Sequence, residues 1–195
     1  MMLTATAASA STLFTTFGPG DDYYLSGSTI GGPNDQQIAN YVELMAGGPL
    51  TSIDIAMDHG SGENLYRIDF LDDLSGASFF QAQFSVAASG VTSLLVAGGP
   101  VFNGDEAFWV VVRGIGDDTQ GAWWGNSIGY QGMAGWRPFA TQTDWNVSGD
   151  QFLNAIRLNS GGEQPADTPE PSTLAMAGLG LLGLGWSRRR RGDRR

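Results

Sequence analysis

Apolar and polar residues alternate over long stretches of the chain with the two-residue period of half-buried strands. Leu50–Asp58 places Ile53, Ile55 and Met57 on one face and Asp54, Ala56 and Asp58 on the other. Leu65–Leu71 repeats the pattern, with Tyr66, Ile68 and Phe70 inward and Arg67 and Asp69 outward. The link HGSGEN is short and glycine-rich, so the two runs are expected to form a hairpin with His59 in its loop. Further strands are expected near 12–17, 22–26, 37–45, 78–86, 91–97, 106–113, 121–127 and 151–158. Ala107–Val112 is apolar on both faces and contains Trp109, which predicts a central strand covered on both sides. No segment from Ser11 to Leu158 carries a helical period. The pattern predicts an all-β fold over 11–158, an antiparallel β-sandwich of jelly-roll type.

Composition supports this and removes alternatives. The 195 residues suffice for one domain with tails; 42% are hydrophobic and 15% charged, too apolar for a disordered chain and too poor in charge for a coiled coil. The 29 glycines have no three-residue period, which excludes collagen and instead marks many turns. With no cysteine there is neither a disulfide framework nor a thiolate metal site.

Charge is placed unevenly. Lysine is absent, and six of the ten arginines lie at 188–191 and 194–195. Residues 1–187 hold four arginines against nineteen acids, a formal −15, while the last eight residues carry +5. Such an acidic body repels nucleic acid and anionic lipid, so no nucleic-acid partner is expected.

The two ends differ from the body. MMLTATAASA (1–10) ends in Ala8-Ser9-Ala10, a small-x-small pattern that fits the end of a signal peptide. It lacks a basic stretch and a full apolar run, so a start codon further upstream is expected; a frayed arm is the competing reading. Residues 159–168, NSGGEQPADT, read as a linker, and 169–195 form a tail. In the tail, Pro169-Glu170-Pro171 precedes an uncharged apolar run from Leu174 to Trp186, followed by Arg188, Arg189, Arg190 and Arg191. At ~1.5 Å per residue that run makes a helix of about 20 Å, short of a ~30 Å hydrocarbon core. Flanking Ser172, Thr173 and Ser187 and snorkelling arginines bring it close to spanning as a single short transmembrane helix. The arginines then fix the C-terminus in the cytoplasm and leave the sandwich outside. A buried core element is the alternative, opposed by six adjoining arginines.

TPEPSTLAMAGLGLLGLGWSRRRR resembles the PEP-CTERM sorting signal, also known as an ice-binding-protein C-terminal domain; motif, apolar span and arginine run follow in the family's order. The resemblance covers only the tail. It implies recognition by a membrane-embedded exosortase, cleavage near Pro169-Glu170-Pro171, and passage through an inner-membrane-tethered intermediate to the surface or medium of a Gram-negative, exopolysaccharide-making bacterium. In the body, LTSIDIAMDHGSGENLYRIDFLDD and GDEAFWVVVRGIGDDTQGAWWGNS resemble the β-rich "choice-of-anchor" domains, which have no established activity. That implies the fold and little more.

Several local patterns bear on chemistry. Gly178-Leu179-Gly180-Leu181-Leu182-Gly183 fits G-x-G-x-x-G but sits in the apolar tail, without the βαβ unit a dinucleotide needs. Gly125-Asn126-Ser127-Ile128-Gly129 fits a nucleophile elbow, yet YQGMAG follows where a helix is required, and the only histidine, His59, precedes Ser127. Aspartates 21–22, 72–73 and 117–118 fit turn chemistry, with Asp117 and Asp118 a weak calcium candidate. Trp123, Trp124, Trp136 and Trp145 lie in a glycine-rich stretch near Asn126, Tyr130 and Gln131. They are either core filling or a glycan-stacking surface, and adjacent Trp123 and Trp124 must point to opposite faces of a strand. The sequence thus favours a non-enzymatic surface or matrix protein deposited with extracellular polysaccharide, without a required cofactor. A carbohydrate-binding module using the tryptophans, assisted by calcium, is the alternative.

Overall fold

In the computed structural model, which describes residues 11–139 and 141–161, thirteen strands carry the chain back and forth between two antiparallel sheets. They are β1 (Ser11–Thr15), β2 (Tyr23–Gly31), β3 (Gln37–Glu43), β4 (Gly48–Ser61), β5 (Tyr66–Leu71), β6 (Ser78–Phe84) and β7 (Gly90–Leu95). The remainder are β8 (Val101–Phe102), β9 (Ala107–Gly114), β10 (Gln120–Asn126), β11 (Gln131–Arg137), β12 (Asn146–Phe152) and β13 (Ile156–Ser160).

One sheet has six strands in the order β12-β11-β3-β9-β5-β6; the other has seven, ordered β1-β13-β4-β10-β2 with β7 and β8 also on β4. The 14-residue β4 organises the second sheet. β7 pairs with Ser52–Met57, β13 with Leu50–Ile55 and β10 with Met57–Ser61. Because β7 overlaps both of the others, it must hold one edge of β4 while β13 and β10 share the opposite edge. The alternation in β4 is realised as expected, with Ile53, Ile55 and Met57 wholly buried between the sheets. Each contributes about 1.5–3 kcal/mol of apolar burial before entropy is charged against it. Facing them are Ile68 and Phe70 of β5, and Phe108, Val110 and Val112 of β9. As its two-sided apolar pattern predicts, β9 lies between β3 and β5; its outer residues Trp109 and Val111 join Ala39 and Leu71 under Leu74 and Trp145.

Three local expectations are corrected. The runs 50–58 and 65–71 do not form a hairpin: β4 belongs to the seven-stranded sheet and β5 to the six-stranded one. Both edges of β4 are already taken, and both runs point apolar faces into one core, which places them in opposite layers. Gly62 makes the crossing, with φ 76° and a position where any Cβ would lie 2.0 Å from the Asp118 carbonyl oxygen. His59 therefore sits within β4, not in a loop. Secondly, 131–137, where no strand is expected, is the strand β11. Thirdly, 151–158 is not one strand; β12 ends at Phe152 in one sheet and β13 begins at Ile156 in the other.

The residues between β12 and β13 tie the layers together. Asn154, 5% exposed, donates through Nδ2 to the Trp123 carbonyl (2.6 Å), while its own carbonyl accepts from Thr16 Oγ1 (2.9 Å) and Asn40 Nδ2 (3.1 Å). Trp123 Nε1 donates to the Ala155 carbonyl at 2.9 Å. Buried polar groups are costly unless paired, so this network fixes where β10 and β13 part company along β4.

Candidate functional site

The sorting motif Pro169-Glu170-Pro171, the apolar run Leu174–Trp186 and the cluster Arg188–Arg191 lie outside the described residues, as do 1–10. Within the domain, the four tryptophans singled out in the sequence are not brought together. Trp123 is wholly buried in the main core. Trp124 faces the other way, as the strand period requires, against Phe17, Ala56, Ala155 and Tyr23. Trp136 is 41% exposed in a cleft opening between the sheets, and Trp145 packs on the outer face of the six-stranded sheet.

The cleft has a volume of about 330 Å³ and lies between β2 and the β11–β12 pair. Its aromatic wall is Trp136 with Phe152, and its polar groups are Gln36, Gln151, Ser28 and Thr29. Phe152 is 67% exposed.

The outer face of the six-stranded sheet holds the second arrangement, formed by strand register. Arg67 of β5 is directly opposite Arg113 of β9, and Gln37 of β3 is opposite Arg137 of β11. Since Ile38 pairs with Val112, Gln37 lies one position beyond the last β3–β9 pair, next to Arg113. A row Arg67–Arg113–Gln37–Arg137 thus crosses four strands and contains three of the four arginines of residues 1–187.

Asp69, with its side chain wholly buried, neutralises one end of that row. Arg113 Nε donates to Asp69 Oδ2 at 2.9 Å, and Arg67 Nε donates to the same oxygen at 3.1 Å. At the other end Arg137 has no carboxylate partner among the described residues. Its Nη2 donates to the neutral amide oxygen Gln37 Oε1 at 2.6 Å, and its guanidinium lies 5.0 Å from the Trp145 ring centroid. Burial, together with the neighbouring Arg113 charge, lowers the Arg137 pKa from its ordinary value. A cavity of about 330 Å³ opens beside it, walled by Leu71, Leu74 and Val111 and bordered by Ser75, Thr143 and Trp145. The loop carrying Leu74 and Ser75 is held by Asp73, whose carboxylate accepts from Ser75 N (2.7 Å) and Ser75 Oγ (2.5 Å). Those bonds hold the Asp73 carboxyl below its ordinary pKa.

The other sequence candidates have local roles. His59 Nδ1 lies 2.8 Å from the Tyr66 hydroxyl, which donates to the Gln120 carbonyl at 3.0 Å. With the tyrosine proton on that carbonyl, the tautomer that protonates His59 Nδ1 completes the pair. Ser127 Oγ donates to the Asp22 carbonyl (2.9 Å), and the strand β11 follows where a nucleophile elbow needs a helix. Asp21 and Asp54 both bond Arg157. Burial alone would lower the Arg157 pKa, but bonds to and charges of these two aspartates outweigh it and raise the guanidinium above its ordinary value. Asp117 and Asp118 are exposed in the β9–β10 link; among the described residues no three His, Asp or Glu side chains converge to hold a metal ion. The arginine row was missed by sequence reasoning because its members come from four separate strands.

Residues 167–191 match the family model described as the PEP-CTERM protein-sorting motif. The chain carries a PEP-CTERM sorting motif. No curated protein and no solved structure matches the chain. The PEP-CTERM motif implies an exported, membrane-sorted protein of a Gram-negative bacterium, processed by an exosortase.

Proposed function

We propose that this is a non-enzymatic surface or extracellular-matrix protein, whose β-sandwich is delivered by the PEP-CTERM tail and freed from it near Pro169-Glu170-Pro171. The observation that carries the reading is the motif at 167–191, directly behind a domain whose strands end at Ser160. The short apolar span suits a handle that is held in the inner membrane and then cut. A non-enzymatic role is supported by the bonding of the obvious acid–base groups: His59 is tied to Tyr66, and Asp54 and Asp69 are tied to arginines. A jelly-roll reading of the sandwich is supported by the orders β1-β13-β4-β7 and β3-β9-β5-β6, with β2, β8, β10, β11 and β12 as additions. Mass spectrometry of the native C-terminus in cells with and without exosortase tests the proposal. Processing near residue 169 only when the enzyme is present is the expected result; a chain ending at Arg195 in both refutes it.

Neutral-glycan contact is the second reading, and the cleft favours it: exposed Trp136 supplies a stacking face, with Gln36 and Gln151 beside it to orient hydroxyls. Trp136→Ala should abolish any binding seen on a glycan array; unchanged binding would move the contact elsewhere.

A further inference from the structure

The Arg137 end of the arginine row presents an electrostatic imbalance that folding alone does not resolve. The described acids outnumber the four arginines four to one, yet none of them pairs with Arg137. Its charge is partly desolvated, held against an amide and a ring, and repelled by Arg113. Two buried N–H groups here, Arg137 Nε and Trp145 Nε1, have no acceptor among the described residues. Native proteins leave few such groups unpaired, and both belong to residues that line the cavity.

The geometry points to a binding site for a single carboxylate carried on a sugar-sized ring, a hexuronate residue, in the cavity between Arg137, Trp145 and the 74–76 loop. The carboxylate supplies the missing counter-charge to Arg137, a charge-assisted contact of the strongest hydrogen-bonded kind. The ring matches a cavity of about 330 Å³, near the lower end of the range that binds small molecules. Leu71 and Val111 offer it an apolar wall, while Ser75 and Thr143 bring hydroxyls to the border. The acidic body selects against densely charged ligands: a formal −15 over residues 1–187 repels polyphosphates and nucleic acids, and admits one charge locally where the arginines concentrate. This site is separate from the cleft at Trp136 and rests on neither reading of it.

Galacturonate, galactose and acetate are titrated against the protein, with binding followed by tryptophan fluorescence and by NMR. Galacturonate should bind at least about tenfold more tightly than either, because galactose lacks the charge and acetate the ring. Arg137→Gln should weaken galacturonate by at least tenfold and Arg137→Lys by less, and raising salt should weaken the wild type and Arg137→Lys but not Arg137→Gln. Trp145→Phe, which keeps the packing ring and removes Nε1, should cost several-fold and serves if Arg137→Gln does not fold. Equal affinities for galacturonate and galactose, or unchanged binding in Arg137→Gln or in Trp145→Phe, overturns the proposal. Acetate binding as tightly as galacturonate also overturns it, since the ring would then play no part. Exosortase processing is measured independently, so either proposal can fail without the other.

Discussion

Asp69→Asn gives the sharpest test of how the arginine row is held. Asp69 is central in β5, wholly buried, and accepts from both Arg67 and Arg113, which are registered directly opposite one another. Like charges in that position repel, and the carboxylate between them is what makes the pairing favourable. Asparagine keeps the shape and one acceptor but removes the charge, leaving two adjacent guanidiniums without a counter-ion. Breaking a fully buried ion pair costs about 3–5 kcal/mol; because the two arginine side chains are 25% and 26% exposed, solvent relieves part of this and about 2–3 kcal/mol is expected. Urea unfolding at low and high salt measures it. The midpoint should fall, and high salt should recover part of the loss by screening the arginine–arginine repulsion. Replacing Arg67 and Arg113 by glutamine in the Asp69→Asn background should recover most of the rest. A loss below about 1 kcal/mol, or one that the triple variant deepens, refutes the view that Asp69 stabilises the row electrostatically.

Other perturbations act on different parts of the molecule. Tyr66→Phe removes the hydroxyl shared by the Gln120 carbonyl and His59 Nδ1, so a loss of about 1–2 kcal/mol is expected at neutral pH by thermal or urea melting. Burial, with a smaller effect from Asp58, pushes the Tyr66 pKa up from 10.0 to about 12. The unfolded chain then releases this proton first, so the tyrosine's contribution is intact below pH 10 and drains away towards pH 12, by up to about 2–3 kcal/mol. The gap between wild type and Tyr66→Phe should close and then reverse over that window; a constant gap would contradict it. Gly31→Ala places a Cβ 1.9 Å from the Thr119 carbonyl oxygen at φ 71° and should cost about 2 kcal/mol or more, read as a lowered urea midpoint. Trp123→Ala empties the centre of the main core and removes one of two N–H donors to the Ala155 carbonyl, with an expected loss of about 3–5 kcal/mol by the same measurement. Replacing Pro169-Glu170-Pro171 by alanines should leave folding unchanged and stop C-terminal processing, as seen by mass spectrometry.

The different fates of the sequence expectations have a common physical cause. A two-residue period says which face a side chain joins, and that was enough for Ile53, Ile55 and Met57, and for the doubly covered β9. It does not say which strand lies alongside. Hence the runs 50–58 and 65–71 have the pattern of a hairpin, although β4 is saturated by β7 on one edge and by β13 and β10 on the other. Period also fades where strands leave the core: QGMAGWR and NVSGDQF pair as β11 and β12 at the sheet margin, with glycines and polar residues in place of an alternating stripe.

The same distinction separates the tail from the domain as sources of functional information. A sorting motif has its proline, glutamate, apolar run and arginines contiguous along the chain, so its order is legible before any fold is known. The arginine row has no such order. Residues 37, 67, 113 and 137 become neighbours only through the pairing of β5, β9, β3 and β11, and shifting any strand by one residue would turn its member into the core. Four tryptophans close in sequence were dispersed by the same rules that gathered arginines distant in sequence. In a sandwich of this kind, composition near a point in the chain is a poor guide to a binding site, whereas a charge type that is scarce overall and concentrated by register on one face is a better one.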